Sequence, residues 1–452
     1  MSDTIAAIAT GAQVAAIGII RLSGPEAIAI ADRLFAPRAG RRMSERADRS
    51  LVYGTLRSRS GEILDICLCT VSRAPNSYTG EDTAELQCHG SPVVLRTALE
   101  EMLALGARQA GPGEFTKRAF LNGRMELTAA EAVADLIDAE TAESARNAAG
   151  QLSGAIAGKT DAIYSSLADI SSHYHAVLDY PDEDLEEFTL QSYVGTMDAA
   201  LTALRRLLST FERGRLLNSG IPAAIVGRPN VGKSSLLNAL VGYDRAIVTS
   251  VAGTTRDTIE EKLRLGGLTL RLVDTAGIHE TSDAVERLGV ERSRRAMESA
   301  RLVIAVIDGS VGLTDGDMEI IRAAEAAPKA LVVVSKLDIS PRAPEIGTAL
   351  PVVRLSSVTG EGIDLLEKTV AELFPLPAVP AGEILTNSRQ ADAVSRAVEY
   401  MEAARQAMND GMTPDIVLTE TEGAMAALGE LTGRTVREDV TDRIFRRFCV
   451  GK

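Results

Sequence analysis

Residues 227 to 234 read Gly-Arg-Pro-Asn-Val-Gly-Lys-Ser, the Walker A spacing, and no other stretch restricts the fold as tightly. The apolar run Ile221 to Val226 precedes them, and the helix-like Ser235-Leu-Leu-Asn-Ala-Leu240 follows. That order predicts a strand, a phosphate-cradling loop and a helix. Glycines let backbone N–H groups face phosphate oxygens, Lys233 reaches the β and γ oxygens, and the Ser234 hydroxyl can ligate magnesium at a helix N-terminus. Asn230, Val231, Gly232 and Ser235 complete the expected nucleotide contacts. The chemistry implied is binding of a nucleoside triphosphate by an α/β P-loop domain.

Four further pieces follow in order. Gly253-Thr254-Thr255-Arg256-Asp257 is a polar stretch whose threonine hydroxyls suit a γ-phosphate and its magnesium, the pattern of a switch. Leu268 to Val273 reads as a strand ending in Asp274-Thr275-Ala276-Gly277, a carboxylate for the metal side and a glycine N–H for the γ-phosphate. Ala330 to Val334 leads into Ser335-Lys336-Leu337-Asp338, and Val352 to Leu355 leads into Ser356-Ser357-Val358. Asp338 can accept both N1–H and the exocyclic amine of guanine, a pair that adenine does not offer, so the expected ligand is GTP. The five pieces together resemble small GTPases of the translation-factor class. That class has Asn where Ser335 stands and Ser-Ala where Ser356-Ser357 stands. The expectation is therefore a modest guanine affinity resting mainly on Asp338.

Hydrolysis needs a group that orients water, and the residue after Gly277 is Ile278, which cannot. The acidic candidates beyond it are Glu280, Asp283 and Glu286, each of which also reads as an ordinary solvated loop residue. Arg256 and Arg287 lie near the switches, and nothing in the sequence marks either as an arginine finger.

The flanks carry a second set of motifs. They run from Asp3-Thr-Ile5 through Ile20-Arg21-Leu-Ser-Gly-Pro25, Asn76-Ser-Tyr-Thr-Gly-Glu-Asp82, Glu85-Leu-Gln-Cys-His-Gly90, Gly111-Pro-Gly-Glu-Phe115, Ala119-Phe-Leu-Asn-Gly123 and Glu131-Ala-Val-Ala-Asp-Leu-Ile-Asp138. They finish at Arg443-Ile-Phe-Arg-Arg-Phe-Cys-Val-Gly-Lys452. End to end, the chain resembles the MnmE (TrmE) family of tRNA modification GTPases.

The resemblance implies a homodimer that hydrolyses GTP and works with the flavoprotein MnmG. The product would be an aminomethyl or carboxymethylaminomethyl group at C5 of the wobble uridine of certain tRNAs. Its carbon would come from 5-formyltetrahydrofolate or 5,10-methylenetetrahydrofolate. Potassium replaces the arginine finger in that family, and here it would be held by Asn230, by backbone oxygens around Thr249 and Val251, and by Thr254. Magnesium falls on Ser234 and Thr255, and the water-positioning acid falls on Glu286. Carried over in the same way, the guanine nucleotide would also meet Thr249, Asp274, Thr275, Ala276, Lys336 and the Ser356-Ser357 pair. Folate contacts map to Arg21, Glu85, Arg124 and Lys452. Two departures stand out: the family has Lys at Arg124 and a glycine-rich turn where this chain reads Gly11-Ala-Gln-Val-Ala-Ala16. Cys449 is either a nucleophile or carrier at the folate-linked end, or a packing residue.

The pattern along the chain predicts an architecture of several domains. Residues 1–118 mix short β-runs and helices and suit an α+β domain, in the family the folate-binding and dimerisation part. Residues 119–216 and 376–452 are alanine-rich and helix-periodic, one all-helical domain split by an inserted Ras-like GTPase domain at 217–375. Such an insertion lets a switch rearrangement tilt the helices that carry the Phe-Cys-Val-Gly-Lys motif. With 452 residues and 45% apolar content there is core for each part, and with no Trp the packing is aliphatic.

A net charge of −14 excludes a protein that coats nucleic acid nonspecifically. Binding to tRNA would then use local patches, Arg38, Arg41, Arg42, Arg46 and Arg49 or Arg443, Arg446 and Arg447, unless a partner supplies the surface. The four cysteines, 67, 69, 88 and 449, make no zinc pattern and fit a reducing cytoplasmic setting. The uncharged stretch from Ile5 to Ile20 reads as two strands around a turn, because an acid precedes it where a secretory leader has a base. No run approaches membrane-spanning length. The competing readings are a ribosome-assembly GTPase of the Era or Der type, which usually carries a basic RNA-binding appendage, and a GTP-regulated one-carbon transferase.

Overall fold

The computed structural model describes residues 3–11, 13–179, 187–243, 261–273, 295–340, 344–375, 379–435, 441, 444–446 and 448–451. Contacts divide the chain into two compact units, one formed by 1–137, 149–203 and 392–452, the other by 138–148 and 204–391. Among the described residues no helix is long and apolar enough to cross a membrane.

The first unit opens with a seven-stranded sheet in the order β3-β4-β5-β6-β2-β1-β7. Its strands are β1 (Ile5–Ile8), β2 (Ala15–Ser23), β3 (Phe35–Pro37), β4 (Val52–Arg57), β5 (Ile63–Ser72), β6 (Thr83–Gly90) and β7 (Arg108–Gln109). The stretch from Ile5 to Ile20 thus forms the antiparallel pair β1–β2, with Ala7 opposite Arg21. Strict alternation sorts the two faces. Gly18, Ile20 and Leu22 of β2, Cys67 and Cys69 of β5, and Leu86 and Cys88 of β6 turn inward under helices Ala27–Leu34 and Pro92–Ala104. Gly18 lets Leu95 pack close to the strand, since a Cβ there would stand 2.4 Å from a methyl of Leu95 and the leucine would have to shift. The expected strand alternation of Cys67-Leu-Cys69 is present, and burial pushes the Cys69 thiol up to about 12. Hydrogen bonding to Cys88, then burial, pushes Cys67 up as well, so both remain thiols.

Helices on either side of the second unit in sequence join within the first. Helix Ala155–Asp179 buries Ile156, Ile163, Leu167, Ile170 and Tyr174, and helix Pro414–Thr432 buries Val417, Ala424 and Leu428. The two pack together, and Arg434 donates to Asp161 at 2.8 Å. Helix Ser388–Asn409 is tied to helix Glu187–Leu208 by the Arg405–Asp198 ion pair. At Gly423 an added Cβ would press within 2.7 Å of the Tyr400 ring, which lets neighbouring helices approach closely.

The second unit is a six-stranded sheet in the order β13-β12-β11-β8-β10-β9. Its strands are β8 (Ile221–Val226), β9 (Glu261–Leu265), β10 (Leu268–Leu272), β11 (Leu302–Asp308), β12 (Ala330–Ser335) and β13 (Val352–Arg354). All neighbours are parallel except β9 and β10, whose turn places Gly266 and Gly267 at φ 61° and 77°. Parallel strands are covered on both faces, which is why β11 and β12 read as unbroken Val, Ile, Leu and Ala runs and are buried almost throughout. Segments outside the sheet also belong to this unit. Asn147 donates to the Ile384 carbonyl at 3.2 Å, and Thr210 accepts from the Leu385 N–H at 3.0 Å. Gly214 lies so close to the Leu385 carbonyl that a Cβ would sit 2.0 Å from it.

Candidate functional site

In an open parallel sheet, ligand groups gather where strands end. β8, β11 and β12 are successive neighbours, so the loops after them meet at one edge. The loop after β8 runs into helix Lys233–Tyr243, two residues earlier than the helix-like run alone indicates. Gly227 presses on β11, where a Cβ would stand 2.5 Å from the Val306 carbonyl. Asn230 takes φ 62° and Gly232 φ 100°, the left-handed conformations with which a phosphate loop can gather successive N–H groups into an anion nest. Val231 anchors the loop in the core at 3% exposure, while Ser234 is half-buried and Ser235 exposed. The Lys233 ammonium donates to the carbonyls of Gly227 and Arg228 at 2.7 and 2.8 Å, and burial lowers its pKa.

The base-side loops are bonded to this cradle. Lys336, at φ 61°, donates to the Asn230 carbonyl at 2.8 Å and to Asp308 at 2.5 Å. Burial raises the pKa of Asp308, but hydrogen bonds from Lys336 and Ser310 outweigh it and hold the carboxyl below the ordinary aspartate range. The Ser356 hydroxyl donates to Asp338 at 2.6 Å and accepts from the N–H groups of Val358 and Thr359 at 3.2 Å each. That fixes the direction of an exposed carboxylate beside a half-buried Ser357. Thr249, Val251, Thr254, Thr255, Asp274, Thr275, Ala276, Gly277 and Glu286 lie outside the described residues.

Two residues of this edge were not singled out from the sequence. Arg228 donates to Thr314 at 2.6 Å and to Asp317 at 3.1 Å, linking the phosphate loop to the capping box of helix Asp315–Glu325. Thr-x-x-Asp ahead of an apolar run is the readable signal for that box. Asp308 closes a buried strand, and only the fold shows that Lys336 meets it.

A second constellation lies in the first unit. Arg21 and Glu85 are direct cross-strand partners, joined at 2.7 Å. The Arg21 guanidinium sits 5.5 Å from the Tyr78 ring centroid and 5.6 Å from that of Phe115. Tyr78 belongs to the loop 76–82, and Gly80 of that loop abuts the exposed Arg124, whose Cγ would lie 3.2 Å from an added Cβ. Arg21, Glu85 and Arg124 therefore border one loop. Buried Arg118 holds that loop by donating to Glu81 at 3.0 Å, and it also bonds Asp3 and Glu114 at 2.6 and 3.1 Å. Sequence reading did not single out Arg118.

The Phe-Cys-Val motif docks nearby. The Gly113 N–H donates to the Cys449 carbonyl at 3.2 Å, and Val450 bridges Pro112. Gly451 packs on the Ile8 carbonyl at the end of β1, while Phe445 and Phe448 fill a cluster with Leu127, Ala130 and Val133. Cys449 itself is exposed, and Lys452 lies outside the described residues. Of the arginine patches, Arg46 and Arg49 are engaged with backbone carbonyls, and Arg443 and Arg447 lie outside the described residues.

An α+β domain, a split helical domain and an inserted P-loop sheet of Ras-like order define a multidomain GTPase. Two family models match the chain, the "GTP-binding protein TrmE N-terminus" over residues 4–124 and the "MnmE helical domain" over residues 127–449. The tRNA modification GTPase MnmE of Symbiobacterium thermophilum is 43% identical, covering 100% of this chain and 99% of its own length. That of Chloroflexus aurantiacus is 44% identical with 100% of both chains covered. The chain belongs to the MnmE family of tRNA modification GTPases. Among solved structures, the G domain of the T. maritima FeoB iron transporter aligns at 27% identity over 34% of this chain and 98% of its own, with a TM-score of 0.26.

Proposed function

We propose that this chain couples potassium-dependent GTP hydrolysis to tRNA modification in partnership with the flavoprotein MnmG. The product is a 5-aminomethyl or 5-carboxymethylaminomethyl group on a wobble uridine. The observation that carries the nucleotide half is the Ser356–Asp338 pair, a carboxylate held in one direction next to a loop clamped by Lys336. Such a carboxylate accepts two donors from one base edge and so selects guanine. Ser234 in the first turn of a helix suits magnesium, with Thr255 as its companion. Asn230, Thr249, Val251 and Thr254 offer only oxygen donors, the ligand type a potassium ion takes. A fixed cation there stabilises charge that develops on the phosphates, and Glu286 orients water.

For the one-carbon half, Arg21 is braced between two aromatic rings and a carboxylate. Glu85 suits the N–H groups of a pterin, and Arg124 and Lys452 suit carboxylate oxygens of a glutamyl tail. Residues 1–118 supply Arg21, Glu85 and the self-association surface, 217–375 hold the nucleotide, and 119–216 with 376–452 add Arg124 and the terminal motif. Homodimer formation is supported by the sheet face opposite the helices, which leaves Ile17, Tyr53 and Ile66 60%, 47% and 47% exposed.

The test is GTP turnover in potassium and in sodium, for the parent chain and Glu286→Ala. Turnover should require potassium and fall by about a hundredfold or more in the variant, the scale of losing a group that acts in general acid–base chemistry. Equal rates in the two salts would refute the cation assignment.

A further inference from the structure

Ser335 ends β12, and its side chain is turned away from solvent at 1% exposure. Its hydroxyl lies 2.5 Å from the carbonyl oxygen of Val231 in the phosphate loop and 3.0 Å from that of Ile307 at the end of β11. A serine hydroxyl has one proton. It can donate to one of these carbonyls at a time, and no donor is left for a third group.

The purine edge that bears N7 and, in guanine, O6 presents acceptors only, so reading it takes a donor. An asparagine has two amide hydrogens, enough to tie the loop and still face the base. Serine has only the tie. Lys336, the adjacent donor, is held at Asn230 and Asp308. Asp338 is an acceptor and reads the opposite, donor edge.

We propose that Ser335 is a positioning residue for the phosphate loop and leaves N7 of guanine without a side-chain donor at this position. The chain then selects guanine through the N1–H and 2-amino edge alone. This rests on the guanine reading given above. It departs from that reading's first consequence, since the serine does not merely hold the purine less well but does not address it.

The experiment is calorimetric titration of the full chain, in potassium and magnesium, with GDP, 7-deaza-GDP and inosine diphosphate. 7-Deaza-GDP should bind within about twofold of GDP, whereas inosine diphosphate, which lacks the 2-amino group, should bind about tenfold or more weakly, the scale of one hydrogen bond to a charged group. A tenfold loss with 7-deaza-GDP would overturn the proposal while leaving the guanine reading intact. Equal binding of inosine diphosphate and GDP would overturn the guanine reading and the proposal with it. Ser335→Ala supplies a second arm: GDP and 7-deaza-GDP should weaken by the same factor, about fivefold, because the lost tie serves both. A loss confined to GDP, or no loss at all, would show that the hydroxyl does not act through the loop.

Discussion

Arg118 shows how much one side chain can organise. Its 11% exposed guanidinium binds three carboxylates, from Asp3, Glu81 and Glu114, so it fixes the N-terminal strand, the loop beside Arg21 and the turn that receives Cys449. Truncation would leave Glu81 without its buried cation and Glu114 with Arg108 alone, so Arg118→Ala should cost about 3 kcal/mol at neutral pH, measured by urea unfolding. The pH dependence has a definite sign. Hydrogen bonding to Arg108 lowers the Asp3 carboxyl to about 2. Burial raises Glu114, but Arg108, the Gly111 N–H and Arg118 together bring it below the ordinary glutamate value. Groups whose folded pKa is depressed stabilise above their unfolded pKa, and that stabilisation is lost as pH falls through the folded value. The gap between parent and variant should therefore narrow between about pH 4 and pH 2. None of this is legible in the sequence, because Arg118 and Asp3 are 115 residues apart and each alone reads as a solvated charge.

At the scale of elements, legibility followed locality. The phosphate loop, the Lys336–Asp338 turn and the Ser356 turn were readable because each follows a buried apolar strand. The β1–β2 pair was readable from an uncharged stretch broken by a turn. Contacts such as Gly214 with Leu385 or Arg228 with Asp317 join segments that meet only after folding, and no periodicity announces them. Gly113 is the element-scale feature most open to test. It sits at φ 64° with the Phe445 carbonyl and the Phe448 side chain each 2.8 Å from where a Cβ would stand. Gly113→Ala should displace the Phe445–Val450 segment and weaken 5-formyltetrahydrofolate binding by about tenfold or more, read by calorimetry, with GTP turnover retained. Loss of both activities would place the tail in the nucleotide reaction.

The whole molecule consists of two units with separate aliphatic cores, and only one contains the phosphate loop. Mass action stabilises the unit that binds a ligand. Differential scanning calorimetry should therefore resolve two transitions, and GDP with magnesium should raise one by several degrees, about 3 °C or more at a hundredfold excess over Kd, and leave the other in place. A single transition that shifts as a whole would mean that the units unfold as one.

The bridge between Pro112 and Val450 has a consequence for biosynthesis. A ribosome makes residues 204–391 before it makes the helices that close the first unit, so the GTP-holding part can mature while its elder neighbour waits, open, for its last staple. A nonsense codon a few triplets before Val450 would then release a polypeptide still able to grip nucleotide but missing the clasp on the turn at Pro112.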